Sequence, residues 1–228
     1  MGGADHAAPR QAVLGGDLET RALPDCSGTR RRPPIERPAL AHLRQNEAAM
    51  YGPVLTGSTF RLRPPREEDA RLFSEWFADL EVTRYLKLRT APSVQQEREW
   101  VERNAASDTD IVWCIEFEDR LVGTTGVHAI DWRNGHGRTG TVLGDRAAWG
   151  KGIGGELMCV RRDYLFREFR LNKLKSGYLE GNEASARAQR AAGYREVGRL
   201  HQEFFREGHW LDQIYTEVLR ADWERLQQ

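Results

Sequence analysis

Between residues 147 and 155 the chain reads Ala-Ala-Trp-Gly-Lys-Gly-Ile-Gly-Gly, then runs directly into a helical pattern from Glu156 to about Phe169. Glycines this dense are costly inside a strand or helix, so they predict a turn that delivers the chain to a helix N-terminus. The first N–H groups there have no intrahelical acceptor, and the macrodipole adds about half a positive charge. With no β-carbon at Gly150, Gly152, Gly154 or Gly155, an anion can approach these amides closely, and Lys151 adds a flexible cation. The spacing is not a Walker loop, because no Gly-Lys-Ser/Thr ending follows. Nor is it a dinucleotide fingerprint, because the glycines follow an antiparallel meander rather than opening a βαβ unit. Taken alone, the turn is equally a phosphate seat or a turn without a ligand.

The surrounding pattern is regular from Thr59 onward. Phe60–Arg63 alternates like a strand and stops at Pro64-Pro65. Ala70, Leu72, Phe73, Trp76 and Phe77 fall near helical spacing, and Ser93-Val-Gln-Gln96 has the capping-box arrangement that opens a second helix to about Asn104. Ile111–Phe117 and Leu121–Ile130 are β-rich runs joined by a hairpin, followed by a loop over 131–138 and a third run, Thr139–Leu143. After the glycine turn and its helix come a strand at Lys173–Leu179 and a helix at Ala184–Ala192 with Gly193 as its C-cap. Two final runs, Glu196–Phe205 and Trp210–Leu219, form another hairpin. The order β-α-α-β-β-β-α-β-α-β-β predicts one α/β (α+β) domain over residues 58–228, with helices on both faces of the sheet.

Residues 1–57 contrast with this. They are rich in Gly, Pro, Ala and Arg, include Arg30-Arg31-Arg32-Pro33-Pro34, and show no sustained apolar period. Such a stretch buries too little surface to offset its ordering entropy, so a disordered extension is expected, with at most a short helix at 39–50. The whole chain carries 34 basic and 34 acidic side chains. That balance argues against bulk nucleic-acid binding. No apolar run approaches a membrane span and no secretory core follows the N-terminus, so a cytoplasmic protein without membrane or nucleic-acid partners is expected. Cys26, Cys114 and Cys159 are too few and too scattered for a disulfide framework or a zinc site, and no metal is expected.

Several segments together resemble the GNAT acyl-CoA-dependent N-acetyltransferases. They are Thr139–Leu143, Trp149-Gly-Lys-Gly-Ile-Gly154 with its helix, Leu171-Asn-Lys-Leu174, and Asn182-Glu-Ala-Ser185 followed by Ala192-Gly-Tyr194. Leu62-Arg-Pro64 with Asp69, Trp76 with Tyr85, Leu121-Val-Gly123 and Asp212-Gln-Ile214 narrow the resemblance to the ribosomal-protein N-terminal (RimJ/RimL-like) branch, which also contains spermidine and nucleotide-sugar acetyltransferases. The resemblance covers about residues 59–225. It implies a mixed, mostly antiparallel sheet that splays to admit acetyl-CoA, used as co-substrate. The pyrophosphate would sit on Trp149, Gly150, Lys151, Gly152, Ile153, Gly154 and Gly155. The pantetheine would pair with backbone near Val142 and Leu143 and be held by Asn182. The implied partner is a small-molecule amine or a peptide N-terminus, bound by a monomer or homodimer. Acetyl transfer would proceed by direct attack in a ternary complex.

Two catalytic positions depart from the family pattern. Arg138 stands where many relatives carry a glutamate base, and Gln189 where many carry a tyrosine acid. Ser185 matches the serine assigned to thiolate protonation in this branch, though it also suits a helix cap. His128 and Glu203 remain as bases, the latter only if a bulge turns it toward the site. The departures also leave open a non-catalytic acyl-CoA-binding regulatory module.

Overall fold

The alternation that begins at Phe60 becomes the second strand of a single eight-stranded sheet. A computed structural model describes residues 51–226. The expected disorder over 1–50, the short helix at 39–50 and Cys26 therefore lie outside the described residues. The strands are β1 (Leu55–Thr56), β2 (Phe60–Arg63), β3 (Ile111–Phe117), β4 (Arg120–Asp131), β5 (His136–Leu143), β6 (Lys173–Leu179), β7 (Arg195–Arg206) and β8 (His209–Leu219). Their spatial order is β1-β2-β3-β4-β5-β6-β8-β7, and among neighbours only β5 and β6 run parallel. The expected mixed, mostly antiparallel sheet is the one formed.

Helices cover both faces. They are α1 (Ala70–Ala78), α2 (Leu80–Thr83), α3 (Val94–Ala105), α4 (Ile153–Glu168), α5 (Glu183–Ala191) and α6 (Arg220–Leu226). Alternation along β3 assigns the faces: Ile111, Trp113 and Ile115 join Leu157 and Leu165 of α4 in one core, while Cys114 joins Phe73, Trp76 and Val101 of α1 and α3 in another. The capping box at Ser93 forms as expected, with Ser93 Oγ accepting from the Gln96 N–H at 3.2 Å and Gln96 Oε1 from the Ser93 N–H at 2.8 Å. The Arg63 and Asp69 of the family pattern form a buried, two-pronged ion pair at 2.7 and 2.8 Å, and Glu116 takes the remaining side of Arg63 at 2.5 Å.

The packed region starts earlier than the boundary expected at residue 57. Tyr51 donates its hydroxyl to the Val101 carbonyl at 2.8 Å, the buried Trp113 indole N–H reaches the Pro53 carbonyl at 2.8 Å, and β1 pairs with β2 through Leu55↔Leu62 and Thr56↔Arg61. These seven residues (51–57) have no readable period because their bonds run to partners far along the chain. α4 also starts earlier than Glu156, at Ile153, with Gly152 as its N-cap at φ +80°. An L side chain is strained at that angle, and Gly150 at φ +72° needs the same freedom.

Candidate active site

β5 and β6 stay together for only three register pairs, His136↔Lys173, Gly137↔Leu174 and Arg138↔Lys175. Beyond them the strands part. β5 remains paired with β4 as far as Gly123↔Leu143, and β6 remains paired with β8 as far as Leu179↔Gln213. The wedge between them opens into a cavity of about 890 Å³. One wall is Thr139–Leu143 with Trp149, Gly150 and residues 152–155 of the turn; the other is Ser176–Leu179 with α5. The segment Glu81–Lys87 at and after α2 closes the third side.

The local sequence explains each wall. Trp149 donates its indole N–H to the Leu143 carbonyl at 2.9 Å, which ties the turn to the end of β5. α4 and α5 approach closely because Gly154 and Gly155 face alanines: a β-carbon added at either would lie 3.8 Å from Ala188 and 3.5 Å from Ala191. At the apex, Arg161 of α4 is fully buried and donates through Nη1 to Gly140 O at 2.7 Å, to Thr141 Oγ1 at 2.9 Å and to Thr125 Oγ1. It pins β5 where β5 leaves β6. Burial lowers its pKa, and its Nε and Nη2 find no partner among the described residues.

Most residues singled out from the sequence meet in this cavity. Val142, Leu143, Trp149, Gly150, Gly152, Ile153, Gly154, Gly155, Asn182 and Ser185 all line it. Lys151 is exposed in the turn and does not line the cavity. The capping role considered for Ser185 belongs to Asn182, whose Oδ1 accepts from the Ser185 N–H at 3.1 Å. Neither expected base contributes to the wall. His128 is half-buried on β4, its Nδ1 3.0 Å from Asp110 Oδ1, and burial outweighs that carboxylate to hold its pKa down. Glu203 is exposed on the edge strand β7. The bulge that would have redirected it does exist, between Leu200 and Phe204, but it serves Asp212 instead, whose carboxylate accepts from the Gln202 N–H at 2.9 Å and lies 2.9 Å from His201 Nδ1.

Sequence reasoning overlooked a buried relay behind Ser185. Gln189 Nε2 donates to the Gly177 carbonyl at 3.2 Å and to Ser185 Oγ at 2.9 Å, while Thr216 donates its hydroxyl to Gln189 Oε1. A carbonyl only accepts, so Gly177 fixes which end of the amide faces Ser185. Ser185 Oγ is thus an acceptor on its buried side, and its own hydrogen is left for the cavity. The signal available in the sequence was a glutamine three residues after Ala186, on the buried face of α5. Tyr178, also in the wall, donates to Glu196, and burial together with that carboxylate pushes its phenol up to about 12. It therefore stays neutral. Cys114 is buried and its thiol is pushed up by burial and Asp69; the Cys159 thiol is also raised by burial. Neither is a ready nucleophile.

A family model described as an acetyltransferase (GNAT) domain matches residues 59–195. An uncharacterized N-acetyltransferase of Bacillus subtilis, YoaA, is 28% identical over 172 residues, covering 73% of this chain and 97% of the relative. The uncharacterized N-acetyltransferase p20 of Bacillus licheniformis is 26% identical over 169 residues, covering 71% and 93%. Among solved structures, spermidine N-acetyltransferase from Vibrio cholerae, in complex with CoA and spermine, superposes with a TM-score of 0.68 at 19% identity, covering 74% of this chain and 99% of that one. RimL, a ribosomal L7/L12 α-N-protein acetyltransferase in complex with coenzyme A, gives 0.66 at 17% identity, covering 73% and 97%. The chain belongs to the GNAT acetyltransferase family. It is an N-acetyltransferase that moves an acetyl group from acetyl-CoA to an amine. Among the described residues no helix is long and apolar enough to cross a membrane.

Proposed function

We propose that the wedge between β5 and β6 seats acetyl-CoA and presents its thioester at the apex to a primary amine, either of a small molecule or of a peptide N-terminus. One observation carries this reading: a single cavity runs from the splayed strands to the glycine turn at the start of α4. The turn supplies unpaired N–H groups for the diphosphate at Gly150–Gly155, and the edge of β5 beyond Arg138, which β6 has left, supplies strand-like partners for the pantetheine. When bound, acetyl-CoA supplies an activated acyl carbon. The amine forms the new C–N bond there as the C–S bond breaks, and the amine loses one proton.

Ser185 then donates its hydroxyl hydrogen toward the sulfur as that atom takes up negative charge. Gln189 keeps the hydroxyl turned that way. A fixed donor at a developing anion in a water-poor site contributes several kcal/mol, on the order of 3. Since neither His128 nor Glu203 lines the cavity, the amine's proton leaves through water at the open mouth. Activity should accordingly rise with pH as the acceptor deprotonates.

The test pairs acetyl-CoA binding by calorimetry with thiol release across a panel of amines. Binding with release supports the reading, and binding without release from any amine would favour a non-catalytic acyl-CoA-binding module. Ser185→Ala should lower turnover at least tenfold with little change in acetyl-CoA affinity. His128→Ala and Glu203→Gln should each lose less than tenfold. A loss of four orders of magnitude in either, with the acid limb of the pH profile erased, would make that residue the base.

A further inference from the structure

Register pairs place His128, Arg138, Lys175, Glu217 and Arg195 in one row across β4, β5, β6, β8 and β7. Residues paired directly across strands share a face, and like charges so placed repel. Further along the row the charge is balanced, because Glu217 holds Lys173 at 2.8 Å and Arg195 at 3.1 Å. At the centre it is not. Arg138 has only the face of Tyr215, 5.8 Å from its guanidinium, and Lys175 has only His136 Nδ1, at 3.4 Å. Among the described residues neither forms an ion pair with a carboxylate; Glu217, directly across from Lys175, is engaged by Lys173 and Arg195. Two cations thus stand side by side at the last register pair before the strands part; Arg138 lines the cavity there, and Lys175 stands beside it outside the lining. Lys87 lines the same cavity from the segment opposite, also without a carboxylate, its ammonium 5.5 Å from the ring centre of Phe204.

The glycine turn is too far away to share its anion with this pair. Arg138 lies five residues before Leu143 on β5, about 17 Å at roughly 3.3 Å per residue, and the turn comes later still. An anion at the apex therefore belongs to a different molecule from the one whose diphosphate sits on α4. The apex is where the thioester lies in the function proposed above, and the present inference rests on that reading. We infer that the acceptor is a primary amine that also carries an oxyanion, a carboxylate or a phosphate, bound by Arg138 with the neighbouring charge of Lys175 adding to the attraction, while the amine reaches the acyl carbon. The same charges would repel a polyamine.

The experiment uses the full chain with saturating acetyl-CoA and matched acceptors: β-alanine against β-alaninamide, glucosamine 6-phosphate against glucosamine, and spermidine alone. The expected result is at least a tenfold higher kcat/KM for the anionic member of one pair, with spermidine poorest. The preferred pair tells carboxylate from phosphate. Arg138→Gln should reduce the preference to within about threefold, mainly through KM, and Arg138→Glu should invert it. Calorimetry should show acetyl-CoA affinity unchanged in both variants. Equal or better use of neutral or cationic amines would overturn the inference, as would a preference that survives Arg138→Gln combined with Lys175→Gln. If no acceptor turns over, binding of inorganic phosphate to the acetyl-CoA-saturated protein decides. Binding that is lost in Arg138→Gln supports the site, and its absence from the wild type refutes it. Failure of the parent reading looks different, because the wild type would then not bind acetyl-CoA at all, and both would fall together.

Discussion

Replacing Gly154 by valine separates binding from folding more cleanly than any other change in the glycine turn. Gly154 is the second residue of α4 and, unlike Gly150 and Gly152, does not have a positive φ. A β-carbon built there meets a single atom within 4 Å, the Ala188 β-carbon at 3.8 Å, which is ordinary contact. The fold therefore has room for the β-carbon, and replacing a helical glycine recovers some of the roughly 0.5–1 kcal/mol that glycine costs, less valine's own reluctance in a helix. Thermal unfolding should stay within about two degrees of wild type. Binding should not. The added carbons project into the cavity wall beside the amides proposed to hold the diphosphate. A hydrogen bond to a charged group contributes about 1.5–3 kcal/mol. Losing one raises the acetyl-CoA dissociation constant roughly 10- to 150-fold, at 1.4 kcal/mol per factor of ten. The control is Gly152→Ala, whose β-carbon would meet open space but whose φ of +80° costs an L residue about 1–2 kcal/mol. That variant should lose stability first. Calorimetric titration with acetyl-CoA and thermal melts on all three proteins check the reasoning. A correctly folded Gly154→Val protein with wild-type affinity would remove the diphosphate from this turn.

Other changes test other parts of the structure. Deleting residues 1–50 should leave melting temperature and acetyl-CoA affinity unchanged. Continuing the deletion to residue 57 strands the buried Trp113 N–H and should cost at least 1–3 kcal/mol by denaturant titration. Burial alone would raise the Asp69 pKa, but hydrogen bonds from the Arg63 side chain and the Arg66 N–H prevail and hold it below the usual carboxylate range. Its contribution is complete above the unfolded value near 3.9 and is lost as pH falls through the lower folded value. Asp69→Asn should therefore destabilise the protein by about 3 kcal/mol at neutral pH and flatten the acid limb of its stability curve. Gln189→Leu, which fills the same space without the amide, should lower kcat more than KM and bring the enzyme toward Ser185→Ala; additive losses in the double mutant would separate the two residues.

What the sequence revealed depended on whether a partner was close along the chain. The glycine turn, the capping box at Ser93, the Gly193 cap and the two long hairpins are local, and each was legible. α2 has four residues and β1 two, too short for any period to register. The seven residues before Ser58 looked like tail because glycine and proline are frequent there, yet Gly52 lies against Trp113, sixty-one positions later, so closely that an added β-carbon would collide with its ring. Ser185 and Asn182 are both good caps on composition alone, and only the geometry assigns the cap to Asn182. Where the two expected bases sit was not legible for a related reason. His128 was placed by its strand and Glu203 by its bulge, but their partners, Asp110 and the Asp212-centred loop, determine where they sit. Thr216 lies 27 positions from Gln189, and nothing local hints that the two touch.

The three-pair seam between β5 and β6 has a mechanical consequence. It divides the sheet into two panels, β1 through β5 and β6 through β7, each internally laced over the length of its strands but joined to the other by a short hem and by the helices packed across it. Amide protection in native proteins follows such cooperative units. The free enzyme's panels should then loosen as two bodies, each with its own opening energy. An extended molecule bonded to both edges restores the missing ladder and welds them into one. The slowest-exchanging amides would then gain protection together on both sides of the gap, including some on strands that the ligand never touches.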